Sequence, residues 1–256
     1  MNIRRLIHAA ALASTLLAGA CASRPAAEAA PPAAPAAAAT AVAPEVASGR
    51  VSSPEWAQDM ARFAEQDAAH PPPRGAVLFI GSSSIRFWAS LAQDFPATPV
   101  INRGFGGSQV RDSTYYADRI VVPYAPSRIV FYAGDNDLAA GRSPQQVADD
   151  FVAFVRRVRR DLPQVPIAYI AIKASPSRLQ LQPQMAQANA LVRAAAAGLP
   201  AVGFIDVYTP MLDARGKPRP ELFREDMLHM NAAGYAIWKE KVGAWLAATA
   251  PANAAH

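Results

Sequence analysis

The sequence is short of the residues that build disulfides and hold metals. It carries one cysteine, Cys21, in 256 residues. A single thiol excludes an internal disulfide framework and any cysteine-built zinc or iron–sulfur site. Histidine is almost as scarce, with four, at positions 8, 70, 229 and 256. There is no broad basic stripe with interleaved aromatics. The formal charge of +5 drops by two once Arg4 and Arg5 are set aside with an expected leader. Arg156, Arg157, Arg159 and Arg160 share one expected helix and read as its solvated face. Nucleic acid is therefore not an expected partner. An apolar fraction of 52% excludes a wholly disordered chain, although many of these residues are alanines among the first 50.

Long apolar runs are also missing. The one near the start, Ile7 to Leu17, is too short for a membrane span. With Arg4 and Arg5 before it and Ala18, Gly19 and Ala20 after it, residues 1–21 read as a secretory signal. Two cleavage readings are open. Ala18-Gly19-Ala20 fits ordinary secretion, and Leu17-Ala18-Gly19-Ala20-Cys21 resembles a bacterial lipobox, though with Ala18 where Leu is usual. The second is preferred, because it explains a lone cysteine at the cleavage point. Cys21 would then carry lipid and anchor the protein to the membrane of the cell envelope. Ordinary periplasmic or secreted release is the alternative. Residues 22–50 are mostly Ala and Pro, with no periodic apolar face to bury, and read as a disordered tether. The remaining 51–256 is expected to hold the globular domain.

Within it, five short apolar runs are expected to be strands, at 76–80, 99–102, 128–133, 167–172 and 202–207. Helical patterns separate them at 85–94, 109–121, 143–162 and 179–197, and a last helix is expected at 232–248. The third helix carries its own start signal. Ser143 caps, Pro144 suits the first turn, and Gln146 completes a capping box. Val147, Phe151, Phe154, Val155 and Val158 then fall on one face. Strand–helix alternation predicts an α/β fold, a five-stranded parallel sheet with helices on both faces. Right-handed crossovers put all strand C-termini on one edge, where such sheets bind ligands.

The chemically suggestive residues follow the strands. After the first comes Gly81-Ser82-Ser83-Ser84-Ile85, a serine run at a strand-to-helix turn. After the second comes Asn102-Arg103-Gly104-Phe105-Gly106-Gly107-Ser108, a glycine loop whose N–H groups can approach a ligand. It fails as a dinucleotide fingerprint at Gln109 and lacks the lysine of a P-loop. After the third comes Gly134-Asp135-Asn136-Asp137, where an Asn amide could donate to an oxyanion. After the fifth, a long loop ends in Asp226-Met227-Leu228-His229. One turn would bring Asp226 to Nδ1 of His229 and stabilise imidazolium. His8 lies in the leader, His256 is the last residue, and His70 precedes three prolines. His229 is thus almost the only histidine placed to act as a base. Each motif alone also reads blandly, as a cap, a turn or a polar pair. All four on one edge do not.

These residues resemble the SGNH hydrolases, also called the GDSL esterase/lipase family, over about residues 74–248. The four family blocks stand in order, the last followed by Asn231-Ala232-Ala233-Gly234-Tyr235. The nearest branch is that of platelet-activating-factor acetylhydrolase-like and carbohydrate acetylesterase-like proteins. The resemblance implies a flavodoxin-like three-layer α/β/α sandwich and no cofactor or metal. By position it makes Ser83 the nucleophile, His229 the base and Asp226 its orienting partner. The oxyanion hole would be the Ser83 and Gly107 N–H groups with the Asn136 amide. Ser82 departs from the family's usual Asp. Asp135 would oppose an oxyanion unless paired, and Arg103 or Arg111 are the expected partners. An ordinary α/β-hydrolase would need glycine where Ile85 stands.

The expected reaction is hydrolysis of carboxylic esters through an acyl-enzyme, on short-acyl esters of envelope or environmental carbohydrate. Longer acyl chains, as in a lysophospholipase or thioesterase, are the alternative, and a non-catalytic glycan-binding domain is a third reading. Phe87, Trp88 and Phe105 flank the site in sequence and could wall a pocket, although at least two of them are expected in the core.

Overall fold

A computed structural model of the chain describes residues 51–250. The expected leader, Cys21 and the Ala/Pro-rich segment lie outside the described residues. The described part begins with a helix, α1 (Trp56–Ala69). Five strands follow: β1 (Val77–Gly81), β2 (Val100–Gly104), β3 (Arg128–Tyr132), β4 (Ile167–Ile170) and β5 (Val202–Ile205). All pair in parallel, in the order β2-β1-β3-β4-β5. This is the flavodoxin-like order, with its reversal between β1 and β3.

Alternate strand residues feed two cores. Leu78, Ile80, Ile129, Phe131, Ile167 and Tyr169 face one side of the sheet. There they meet residues of α4 (Val110–Tyr115), α5 (Ala117–Ile120), α7 (Pro144–Asp161) and α8 (Gln182–Ala197). Val77, Phe79, Val130, Tyr132, Ala168 and Ile170 face the other, against α3 (Leu91–Asp94) and α9 (Ala232–Ala248). Burial on both faces is why the strands read as continuous apolar runs. The expected start of α7 is present: Ser143 Oγ accepts from Gln146 N at 3.2 Å, and Gln146 Oε1 accepts from Ser143 N at 2.9 Å. Its five apolar residues are all buried.

Three local differences separate the structure from the expected pattern. The helix expected over 85–94 is two short ones, α2 (Ser83–Arg86) and α3. Between them Trp88 turns into the core, stacks on Tyr235 at 5.4 Å and donates from Nε1 to Asp94 Oδ2 at 2.7 Å. The helix expected over 109–121 breaks at Tyr116 into α4 and α5. Third, two helices had no sequence signal. Only Met60 and Phe63 of α1 are buried, too narrow a stripe to show a period. The other is α6 (Asp135–Ala139), where the Asn/Asp-rich motif suggested a turn.

The end of β1 demands glycine. Gly81 has φ 135°, and a β-carbon there would lie 1.8 Å from the Tyr132 carbonyl oxygen. Gly81→Ala must therefore separate β1 from β3 as well as strain the backbone. We predict a stability loss on the order of 3 kcal/mol or more, measured by urea unfolding. A loss below about 1 kcal/mol, the range of an ordinary small substitution, would show that the strands part easily.

Candidate active site

Ser83 is placed by the way the chain leaves β1. Ser82 N–H donates to Tyr132 O at 2.9 Å, carrying the sheet's bonding one residue past the strand. Ser83 then opens α2, half-buried. As a first-turn residue it has no helical acceptor for its N–H. Among the described residues, that N–H donates to no protein group.

His229 and Asp226 lie on a small closed loop. Arg224 N–H donates to His229 O at 2.8 Å, and Met227 N–H donates to Arg224 O at 2.9 Å. Met227 takes a left-handed conformation, φ 53°, at its tip. Asp226 Oδ1 accepts from the N–H groups of Leu228 (2.9 Å) and His229 (2.8 Å). Its Oδ2 lies 2.6 Å from His229 Nδ1. His229 Nε2 lies 3.0 Å from Ser83 Oγ, across 146 positions of sequence. Phe87 meets the imidazole edge-on at 4.9 Å. The structure thus brings Ser83, His229 and Asp226 into one chain of contacts.

The same bonds set the charge on Asp226. Burial alone would raise its pKa. The bonds from the His229 side chain and from the His229 and Leu228 backbone outweigh that and hold the carboxyl well below the usual carboxylate range. An ionised Asp226 keeps the proton on Nδ1, which leaves Nε2 to accept from the Ser83 hydroxyl.

The second and third motifs lie beside this chain. Phe105 N–H donates to Gly81 O at 2.9 Å, which fixes the glycine loop on the end of β1. Gly107 is exposed, with φ 85°, and its N–H also donates to no protein group among the described residues. Asn136 sits in the first turn of α6. Its Nδ2 donates to Ser108 O at 3.1 Å, and its Oδ1 accepts from Arg178 at 3.0 Å. Gly107 and Asn136 are therefore joined through Ser108.

The expected pairing of Asp135 is wrong. Arg103 is buried on the far side, paired with Asp67 and donating to Tyr124 Oη at 2.7 Å. Arg111 donates to Gln109 Oε1 at 2.9 Å. The partners of Asp135 are Lys173 Nζ, 3.1 Å from Oδ2, and Arg178, 3.4 Å from the same oxygen. Burial would raise this carboxyl too, but Lys173 and Arg178 hold it below its ordinary value. Both cations follow β4, the neighbour of β3, so both belong to the same sheet edge. That position is the signal that could have found them. Of the three candidate wall residues, Trp88 and Phe105 are core, and only Phe87 faces the site.

Sequence reasoning also missed Asp137. It is fully buried and accepts the Val110 N–H at 3.1 Å, tying the start of α4 to α6. Arg142 lies 3.8 Å away and pairs with Asp150 as well.

A relay of carboxylate, imidazole and hydroxyl beside unpartnered N–H groups, on the ligand-binding edge of a flavodoxin-like sheet, defines a serine ester hydrolase. The profile of the GDSL-like Lipase/Acylhydrolase family matches residues 80–237, and the chain belongs to that family. Solved structures share the fold. A candidate platelet activating factor from Streptococcus pneumonia is similar with a TM-score of 0.67 at 20% identity, covering 75% of this chain and 92% of that one. A GDSL-like lipase from Bacteroides thetaiotaomicron reaches 0.62 at 19% identity, over 74% and 97%. A carbohydrate esterase family 3 protein from Talaromyces cellulolyticus reaches 0.56 at 16%, over 67% and 96%. No curated protein sequence matches the chain.

Asp137 gives a pH test of this architecture. Burial is the main cause that pushes its carboxyl up to about 7; Asp150 adds to it, and the Val110 N–H and Arg142 offset it in part. Folding thus lifts the group above its unfolded value of about 3.9. Between about pH 4 and pH 7 the folded state holds the proton more tightly, so this group's contribution to stability falls as pH rises. Asp137→Asn keeps an acceptor for Val110 and removes the titration. Its stability relative to wild type should climb from about pH 4 to pH 7 in urea unfolding. A flat difference across that range would sink the assignment.

Proposed function

We propose that the protein hydrolyses carboxylic esters through an acyl-enzyme on Ser83, acting on short-acyl, chiefly acetyl, esters of carbohydrate. The observation that carries the reaction is the chain Asp226–His229–Ser83, with contacts of 2.6 and 3.0 Å. His229 Nε2 takes the Ser83 proton as Oγ attacks the ester carbonyl. Asp226 faces the imidazolium that results. The Ser83 and Gly107 N–H groups and the Asn136 amide receive the oxyanion. His229 then returns the proton to the leaving alcohol, and water repeats the sequence to release the acid.

The substrate class has separate support. Beside Gly106 lies a groove of about 510 Å³, lined by Glu55, Trp56, Gln58, Asp59, Arg62 and Arg86. An aromatic face among carboxylates and guanidiniums suits a hydroxyl-rich ring better than an alkyl chain. Structures named as an acetyl esterase mutant and as a carbohydrate esterase share the fold. The reading includes export and a lipid anchor at Cys21, which rest on the sequence of residues 1–21.

The test compares p-nitrophenyl acetate and p-nitrophenyl octanoate as substrates for residues 51–256. Ser83→Ala should abolish hydrolysis. Asn136→Ala should lose about 10²–10³-fold in rate, the usual cost of one oxyanion donor. Acetate should be strongly preferred. Octanoate preferred over acetate would overturn the acetyl reading, and activity retained in Ser83→Ala would overturn the mechanism. Failure of a fluorophosphonate probe to label folded wild type would point to a binding domain.

A further inference from the structure

We propose that Arg178 is a positioning residue for the oxyanion donor, holding the Asn136 amide so that its NH₂ group stays turned toward Ser108, next to Gly107. The proposal rests on the reading of Asn136 given above and deepens it.

An asparagine amide has two nearly isosteric orientations. One presents donors to a developing oxyanion, and the other presents a carbonyl that repels it. Two contacts decide between them here. Ser108 O can only accept, and it takes one Nδ2 hydrogen at 3.1 Å. Arg178 can only donate, and it takes Oδ1 at 3.0 Å. A flipped amide would set donor against donor at Arg178 and acceptor against acceptor at Ser108. The second Nδ2 hydrogen stays available. A charge-assisted bond to Oδ1 also polarises the amide and strengthens its N–H donors.

Arg178 needs its own support, because it stands in an irregular turn with φ −121°. Asp135 provides it. Its Oδ2 lies 3.4 Å from the Arg178 guanidinium and 3.1 Å from Lys173 Nζ. Lys173 is buried and reaches Tyr132 Oη at 3.2 Å. The carboxylate keeps two cations together behind Asn136, and the trio retains one net positive charge on the oxyanion side of the site.

The test is a double-mutant cycle on p-nitrophenyl acetate, with thermal melting of each variant. Arg178→Met should lower kcat/KM on the order of 10–10²-fold, less than full loss of a donor, with the loss in kcat and little change in KM. Arg178→Lys keeps charge near Asp135 but lacks the planar fork that reaches both partners. It should stay folded and remain impaired, and it carries the same cycle if Arg178→Met does not fold. In an Asn136→Ala background either substitution should cost less than about threefold, as expected for residues acting as a unit. Costs that multiply in the double variant would overturn the proposal, as would wild-type activity in Arg178→Met or full rescue by lysine. If Asn136→Ala itself matches wild type while Ser83→Ala is dead, the fault lies in the reading of Asn136.

Discussion

The site depends on how closely three stretches of backbone meet at the end of β1. The Tyr132 carbonyl stands where a β-carbon of Gly81 would be, and the Arg86 nitrogen lies 2.1 Å from where one on Gly104 would be. Only glycine permits either approach. Asn102 laces the same region, donating from Nδ2 to Ile85 O at 2.7 Å and accepting from Gly104 N–H at 2.9 Å. The strand leading to the serine, the helix that the serine opens and the strand feeding the glycine loop are thus fixed to one another by main-chain contacts and by the Asn102 side chain. Ser83 and the Gly107 loop inherit their relative position from packing, so neither relies on a flexible side chain to arrive there.

Much of this was legible because a parallel α/β fold sorts residues by position along the chain. The five strands lie close to the apolar runs, and four polar motifs follow four of those strands. Position after a strand was enough to expect the serine run, Asn136 and, at the end of a long loop, His229 on one edge; the choice of Ser83 within that run rested on the family resemblance. Proximity in sequence misled where charge was concerned. Arg103 is separated from the carboxylate of Asp135 because it lies on β2, beyond β1, and is buried against Asp67 and Tyr124. Lys173 and Arg178 are 38 and 43 positions from Asp135 in sequence, yet they sit one strand away in space. α1 was invisible for another reason. A helix that buries two side chains needs no apolar period, and its place is set by contacts that no local pattern encodes.

Three aspartates near the site show how environment decides what a carboxylate can do. Asp226 is the most exposed, yet two backbone N–H groups and an imidazole keep it ionised. Asp135 is buried and stays ionised because two cations share it. Asp137 is buried with one N–H and a more distant arginine, and its carboxyl titrates near neutrality instead. The first is suited to holding an imidazolium, the second to binding cations in place, and the third to accepting a single bond that joins two helices.

Asp226 closes one set of contacts, through His229 to Ser83, and the Lys173–Asp135–Arg178 trio closes another, through Asn136 to Ser108. Attack by Ser83, in the proposed reaction, creates charge at both sets. Positive charge develops on His229 beside the Asp226 carboxylate, and negative charge develops at the Asn136 amide, whose Oδ1 is held by Arg178. The fixed charges therefore stabilise the separated state more than the neutral one, which is the condition for lowering a barrier rather than for binding substrate. A lone buried carboxylate at Asp135, without Lys173 and Arg178, would oppose the charge that the donors receive. Pairing Asp135 with the two cations that follow β4 resolves that conflict, and burial of Asp135 and Lys173 shields the closer pair from screening by salt.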